Sequence, residues 1–95
     1  MVPTSTDSSS VSAGGDSAAV SAFERLLGVV QTLRDPGGCP WDREQTHASL
    51  RPHLLEECYE LLEAIDADDS DGVREELGDL LVHVAFHADM ARRAG

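Results

Sequence analysis

The sequence predicts an all-α fold, an antiparallel helical bundle of three main helices completed by dimerisation. Three observations predict it. Apolar residues recur at helical spacing in three segments separated by turn signals. Aromatic residues make up only 4% of the 95 residues, and the apolar ones are mostly Leu, Val and Ala in helix-favouring contexts. The third segment is apolar around nearly its whole circumference, a surface that a chain this short can cover only with a second subunit.

Residues Met1 to Asp16 are Ser, Thr, Gly and Asp with scattered Val and Ala. That composition buries too little apolar surface to offset its ordering entropy, so a disordered Ser-rich tail is expected over 1–16 and one domain over 17–95. Ser17 is the expected N-cap of the first helix, whose stripe is Phe23, Leu26, Leu27, Val30 and Leu33. Asp35-Pro36-Gly37-Gly38 stops it. Cys39 to Thr46 reads as a loop by its proline and flanking glycine, and it carries the sole tryptophan, Trp41. The second helix begins at Thr46 or His47, is expected to bend or restart at Pro52, and ends near Asp66. Its apolar face is Leu50, Leu54, Cys58, Leu61, Leu62 and Ile65. Asp68 to Gly72 is the turn, with Asp71 the expected N-cap of a third helix from Val73 to about Arg93. Gly78, inside that helix, is expected to permit close packing.

A formal charge of −11, with seven Arg and no Lys, argues against a partner that is a nucleic-acid polymer, because phosphate neutralisation needs a basic surface. A phosphate-bearing ligand would need a metal as intermediary. Cys39 and Cys58 are too few for a disulfide framework and lie in no C-x-x-C pair, which suits a reducing interior. The start of the chain lacks a basic, then apolar, leader, and no stretch approaches the ~18 apolar residues of a membrane span. A cytoplasmic protein without membrane association is expected.

Two acidic motifs carry the chemistry. Glu57-x-x-Glu60 lies on the second helix and Glu76-x-x-Asp79 on the third, each an i, i+3 pair sharing a helix face. Either alone is most often a solvated face. In an antiparallel hairpin, however, residues at one height have a constant index sum, and Glu57/Asp79 and Glu60/Glu76 share it. Their midpoint is Asp68, inside the turn, and the two rungs stand ~4.5 Å apart at the helical rise. The same register pairs Leu54 with Val82 and Leu50 with Phe86. Around the second helix, Glu57 falls at the edge of the apolar arc while Glu56 and Glu63 point to solvent. Four partly buried carboxylates facing each other would be driven toward protonation unless a cation compensates them. No Lys exists and no Arg lies on that stripe, so a hard divalent ion is the economical answer. Mg²⁺ fits, and Mn²⁺ could substitute.

The run Gly38-Cys39-Pro40-Trp41-Asp42-x-x-Gln45-Thr46-His47-x-Ser49-Leu50, then Leu55-Glu56-Glu57-x-Tyr59-Glu60 and Glu75-Glu76-Leu77-Gly78-Asp79-Leu80-Leu81, resembles the MazG family. The resemblance spans about Phe23 to Ala91. It implies an all-α, dimerising, Mg²⁺-dependent enzyme that hydrolyses (deoxy)nucleoside triphosphates to monophosphate and pyrophosphate, house-cleaning of noncanonical nucleotides being a common role. By motif, the metal ligands would be Glu57, Glu60, Glu76 and Asp79. A carboxylate the metal does not consume, Glu60 or Glu56, would take the proton of the attacking water. Family members usually continue into a further helical segment with basic residues, so the domain is expected to be truncated at its C-terminus.

The substrate-binding candidates are Trp41, which could stack on a nucleobase or instead plug the end of a helix pair, and Arg43 and Arg51, which could reach phosphates or serve surface ion pairing. His83 and His87 with Cys58 or Asp79 make a conceivable zinc site, but their spacing matches no standard zinc motif. The rival reading is a non-catalytic helical dimerisation or regulatory domain that retains metal binding.

Overall fold

The computed structural model describes residues 13–95, with side chains from Ser17 onward. Those residues form α1 (Ala13–Arg34), α2 (Pro40–Glu44), α3 (His47–Asp66) and α4 (Ser70–Ala94), with no strand among them. The three long helices are the expected ones. Helix α1 begins four residues ahead of the expected cap at Ser17, and most of the expected tail lies outside the described residues.

Three local expectations are corrected. The segment read as a loop contains α2: Pro40 stands in its first turn, where the missing N–H has no partner to lose, and Arg43 N donates to Cys39 O at 3.0 Å. Helix α3 runs through Pro52 without restarting. A capping box between Thr46 and Ser49 fixes its start, and the bond that Pro52 forfeits lies in an exposed early turn. The cap of α4 is Asp69 rather than Asp71, its carboxylate accepting from Gly72 N at 3.0 Å. Asp71 instead lies in the first turn, where a negative charge suits the helix dipole.

Helix α4 lies between its neighbours, packing on both α1 and α3. The core is Val30 from α1, Leu50 from α3, and Ala85, Phe86 and Met90 from α4, flanked by Leu26 and Leu27. Leu50 and Phe86, the predicted apolar rung, thus meet in the core. All of it sits at the α2 end of the hairpin. Toward the turn, Leu62, Ile65, Leu77 and Leu81 stay about half exposed, and within the single chain α4 buries only Ala85, Phe86, Asp89 and Met90. At Gly78 no close approach occurs within this chain: a Cβ built there meets none of its atoms within 4 Å. The glycine that a close approach does require is Gly38, where a Cβ would collide with the carbonyl oxygens of Thr32 and Leu33.

Candidate active site

The hairpin brings the acidic motifs together. Helices α3 and α4 end and begin equally far from Asp68, whose φ of 56° places the reversal in the left-handed region that Asp tolerates. Above this turn, one carboxylate oxygen from each of Glu57, Glu76 and Asp79 lies within 4.8 Å of the others. Glu57 and Glu76 are half-buried and Asp79 is exposed. Glu60, also half-buried, offers no oxygen to this trio but remains close enough for its charge to act on both glutamates. Glu56 is exposed, on the side the sequence assigned to solvent.

Crowding of like charge in a partly dehydrated groove sets the protonation. Loss of hydration, then the charges of Glu60 and Glu57, then Asp79, push the Glu76 carboxyl up to about 7. Glu57 is raised as well, by dehydration first and then by Glu60, Asp79 and Glu56, although a hydrogen bond from Glu76 works against this. A proton on Glu76 therefore relieves part of the repulsion. Glu57 Oε2 is nevertheless buried without any hydrogen-bond partner. An unpartnered carboxylate oxygen among converging carboxylates suits a hard divalent ion, which takes oxygen ligands. A zinc site from the histidines gains no support. Neither His83, His87 nor Cys58 joins a metal-competent group among the described residues, and His87 is engaged by His47 at 2.6 Å between Nδ1 atoms.

The substrate candidates stand apart. Trp41 is 56% exposed, so it does not plug a helix pair. Its surroundings are nonetheless ordered: Gln45 Nε2 donates to Trp41 O at 2.9 Å, and Ser49 Oγ donates to Gln45 Oε1 at 2.8 Å. Arg43 and Arg51 are exposed and line separate pockets, Arg43 beside Pro40 and Glu44, and Arg51 beside Leu54 and Cys58. Neither the pocket lined by Arg43 nor the one lined by Arg51 includes the carboxylates.

Sequence reasoning missed Arg34 and Asp89. Arg34 donates through Nη1 to Asp89 Oδ2 at 3.0 Å, through Nε to Asp42 O at 3.1 Å and through Nη2 to Gln45 O at 3.0 Å. The available signal was a lone carboxylate, Asp89, in an apolar stretch of α4, which demands a partner when buried.

The profile described as MazG nucleotide pyrophosphohydrolase domain matches residues 45–95. A Thermotoga maritima protein named nucleoside triphosphate pyrophosphohydrolase/pyrophosphatase MazG is 58% identical over 73 residues, which are 77% of this chain and 29% of that protein. The nucleoside triphosphate pyrophosphohydrolase of Escherichia coli K12 is 55% identical over 74 residues, covering 77% of this chain and 28% of its own length. One of the same name from Mycobacterium tuberculosis is 54% identical over 74 residues, covering 75% and 22%. The chain thus spans under a third of the length of these relatives.

Proposed function

The chain belongs to the MazG nucleotide pyrophosphohydrolase family, and on that premise we propose that it hydrolyses (deoxy)nucleoside triphosphates to monophosphate and pyrophosphate. The observation that carries this reading is the trio of Glu57, Glu76 and Asp79 oxygens within 4.8 Å, with Glu57 Oε2 buried and unpartnered. The similarity to bacterial nucleoside triphosphate pyrophosphohydrolases supports it.

Glu57, Glu76 and Asp79, with Glu60 beside them, would hold Mg²⁺, or Mn²⁺ in its place. When bound, such an ion supplies positive charge to phosphate oxygens and lowers the pKa of a coordinated water. Glu76 would have to give up its proton to hold the ion. Glu60, outside the trio, is the better placed carboxylate to accept a proton from the attacking water; Glu56 is the other candidate but is turned to solvent. Trp41 would stack on the base, and Arg43 and Arg51 would approach the phosphates. Noncanonical nucleotides are the proposed targets, in the cytoplasm. Two free cysteines suit that compartment, and no helix of the described residues is long and apolar enough to cross a membrane.

A homodimer or higher homo-oligomer belongs to this proposal. Covering half-exposed Leu62, Ile65, Leu77 and Leu81 would contribute about 1 kcal/mol each, which matters for a core of five buried side chains.

The test is pyrophosphate release from a panel of nucleoside triphosphates with Mg²⁺, beside Glu57→Gln and Glu76→Gln. Release that both substitutions abolish supports the enzyme. No release from any nucleotide by a folded dimer supports the non-catalytic dimerisation domain instead.

A further inference from the structure

A solvent-exposed tryptophan in a short connection ordinarily needs no scaffold, yet the segment holding Trp41 is braced from three directions. Gln45 ties the Trp41 carbonyl to Ser49, and Thr46 and Ser49 cap α3 reciprocally. The third brace comes from α1. The Arg34 side chain, 8% exposed, donates to the carbonyls of both Asp42 and Gln45 at the C-terminal end of the five-residue α2, where Asp42 O otherwise receives only a long 3.4 Å bond from Gln45 N. The same guanidinium is anchored by Asp89, whose 4%-exposed carboxylate also accepts from Arg92 at 3.0 Å and from Arg93 at 2.6 Å.

Arg34 is not a free cation awaiting a phosphate. Its donors face protein acceptors on three sides, and Arg93, which shares its pocket, is equally engaged by Asp89, Asp35 and the Gln31 carbonyl. What the arrangement does is fasten α2 to the end of α1, which Asp89 in turn ties to α4, so that the exposed indole stands on a braced base. A preorganised aromatic face loses little freedom when a planar ligand stacks on it. The start of α3, the element that follows α2, lies about 15 Å along the helix from Glu57, a span an extended nucleoside triphosphate can bridge.

We infer that Arg34 is a positioning residue for the nucleobase, acting through α2 to present Trp41, with Asp89 as its anchor. This rests on the nucleotide reading above. Lysine at position 34 would keep the charge opposite Asp89 but could not reach both carbonyls, because a single ammonium lacks the planar fork.

The test is a double-substitution cycle on Arg34→Lys and Trp41→Ala, read by KM and kcat for pyrophosphate release and by emission of the only tryptophan. Arg34→Lys is expected to raise KM about tenfold, the scale of one lost base-stacking contact, with kcat within about twofold. Trp41→Ala should raise KM by a similar factor, and the double variant should be no worse than Trp41→Ala alone. Arg34→Lys should also make Trp41 emission more accessible to acrylamide and weaken its quenching by Mg-ATP.

An unchanged KM in Arg34→Lys, or effects of the two substitutions that multiply, would overturn the inference. So would blue-shifted Trp41 emission that depends on protein concentration, which would put the indole in a subunit interface. A merely structural Arg34 would lower the melting temperature of Arg34→Lys while leaving KM and quenching unchanged. Should the wild-type protein release no pyrophosphate, the hydrolase reading fails; Mg-ATP quenching of Trp41, weakened or not by Arg34→Lys, still decides this one.

Discussion

The guanidinium of Arg34 and the carboxylate of Asp89 meet at 3.0 Å with both side chains more than nine-tenths buried, joining the end of α1 to the last turns of α4. Burial alone would oppose ionisation of Asp89. Hydrogen bonds from Arg93, Arg92 and Arg34 outweigh it and hold the carboxyl below its ordinary range. Asp89→Ala is therefore expected to cost about 3–5 kcal/mol in urea unfolding, because three arginines lose their shared acceptor. Asp89→Asn, which keeps an acceptor oxygen, should cost less. The sign of the pH effect follows: the folded state binds fewer protons, so this contribution is present above the ordinary value of 3.8 and is lost as pH falls through the lower folded value.

Glu76 runs the other way. Its raised pKa of about 7 means that the metal-free folded state binds more protons than the unfolded chain from about 4.5 upward. Metal-free stability should fall as pH rises through that window and level off above 7. Calorimetric affinity for Mg²⁺ or Mn²⁺ should be markedly weaker at pH 6 than at pH 8, since the ion must displace a proton. Asp79→Asn should raise the metal-free melting temperature by relieving repulsion and abolish the rise that Mn²⁺ produces.

His47 and His87 meet through their Nδ1 atoms. Their ring centroids are 4.9 Å apart with planes 12° from parallel, and the Nδ1 atoms are 2.6 Å apart. The centroid separation equals the nitrogen separation plus two ring radii, so the rings meet edge to edge in one plane, as an N–H···N hydrogen bond requires. Dehydration, then His47, then His83 lower the His87 pKa below 6.5. Stability should accordingly drop as pH falls from 6.5 through the lower folded value, because the folded state binds fewer protons there. NMR titration of the imidazole protons checks this, and His47→Ala should move the His87 midpoint upward.

Substituting Gly78 separates a free face from a covered one. With open space around its Cβ position, Gly78→Ala should stabilise the isolated chain by about 0.5–1 kcal/mol through helix propensity. Urea unfolding at several protein concentrations checks it, and a loss of stability instead would put a partner helix against Gly78.

Leu62→Glu with Leu81→Glu charges a surface that is already about half exposed. Monomer stability should change little, whereas the proposed dimer should dissociate, which sedimentation or light scattering reads directly.

The helices and the register of the acidic hairpin were legible in the sequence, because a 3.6-residue period and a turn centred on Asp68 fix which side chains share a height. The site was legible only in part. Glu57, Glu76 and Asp79 converge as the motif spacing requires, but Glu60 lies beside the trio, since rotation about the helix and side-chain torsions are not carried by index numbers. The helical character of Pro40 to Glu44 and the cap at Asp69 were missed for a local reason: each depends on which backbone groups find partners, and several candidates stood within two residues.

By itself the sequence determined the elements that local periodicity dictates, and hence that two acidic pairs would face each other. Only the tertiary structure decided that Arg34 and Asp89, 55 positions apart, brace the Trp41 segment, and that the core lies at one end of the hairpin. Those depend on contacts between distant parts of the chain, where the cost of burying a charge is settled by whatever partner the packing delivers.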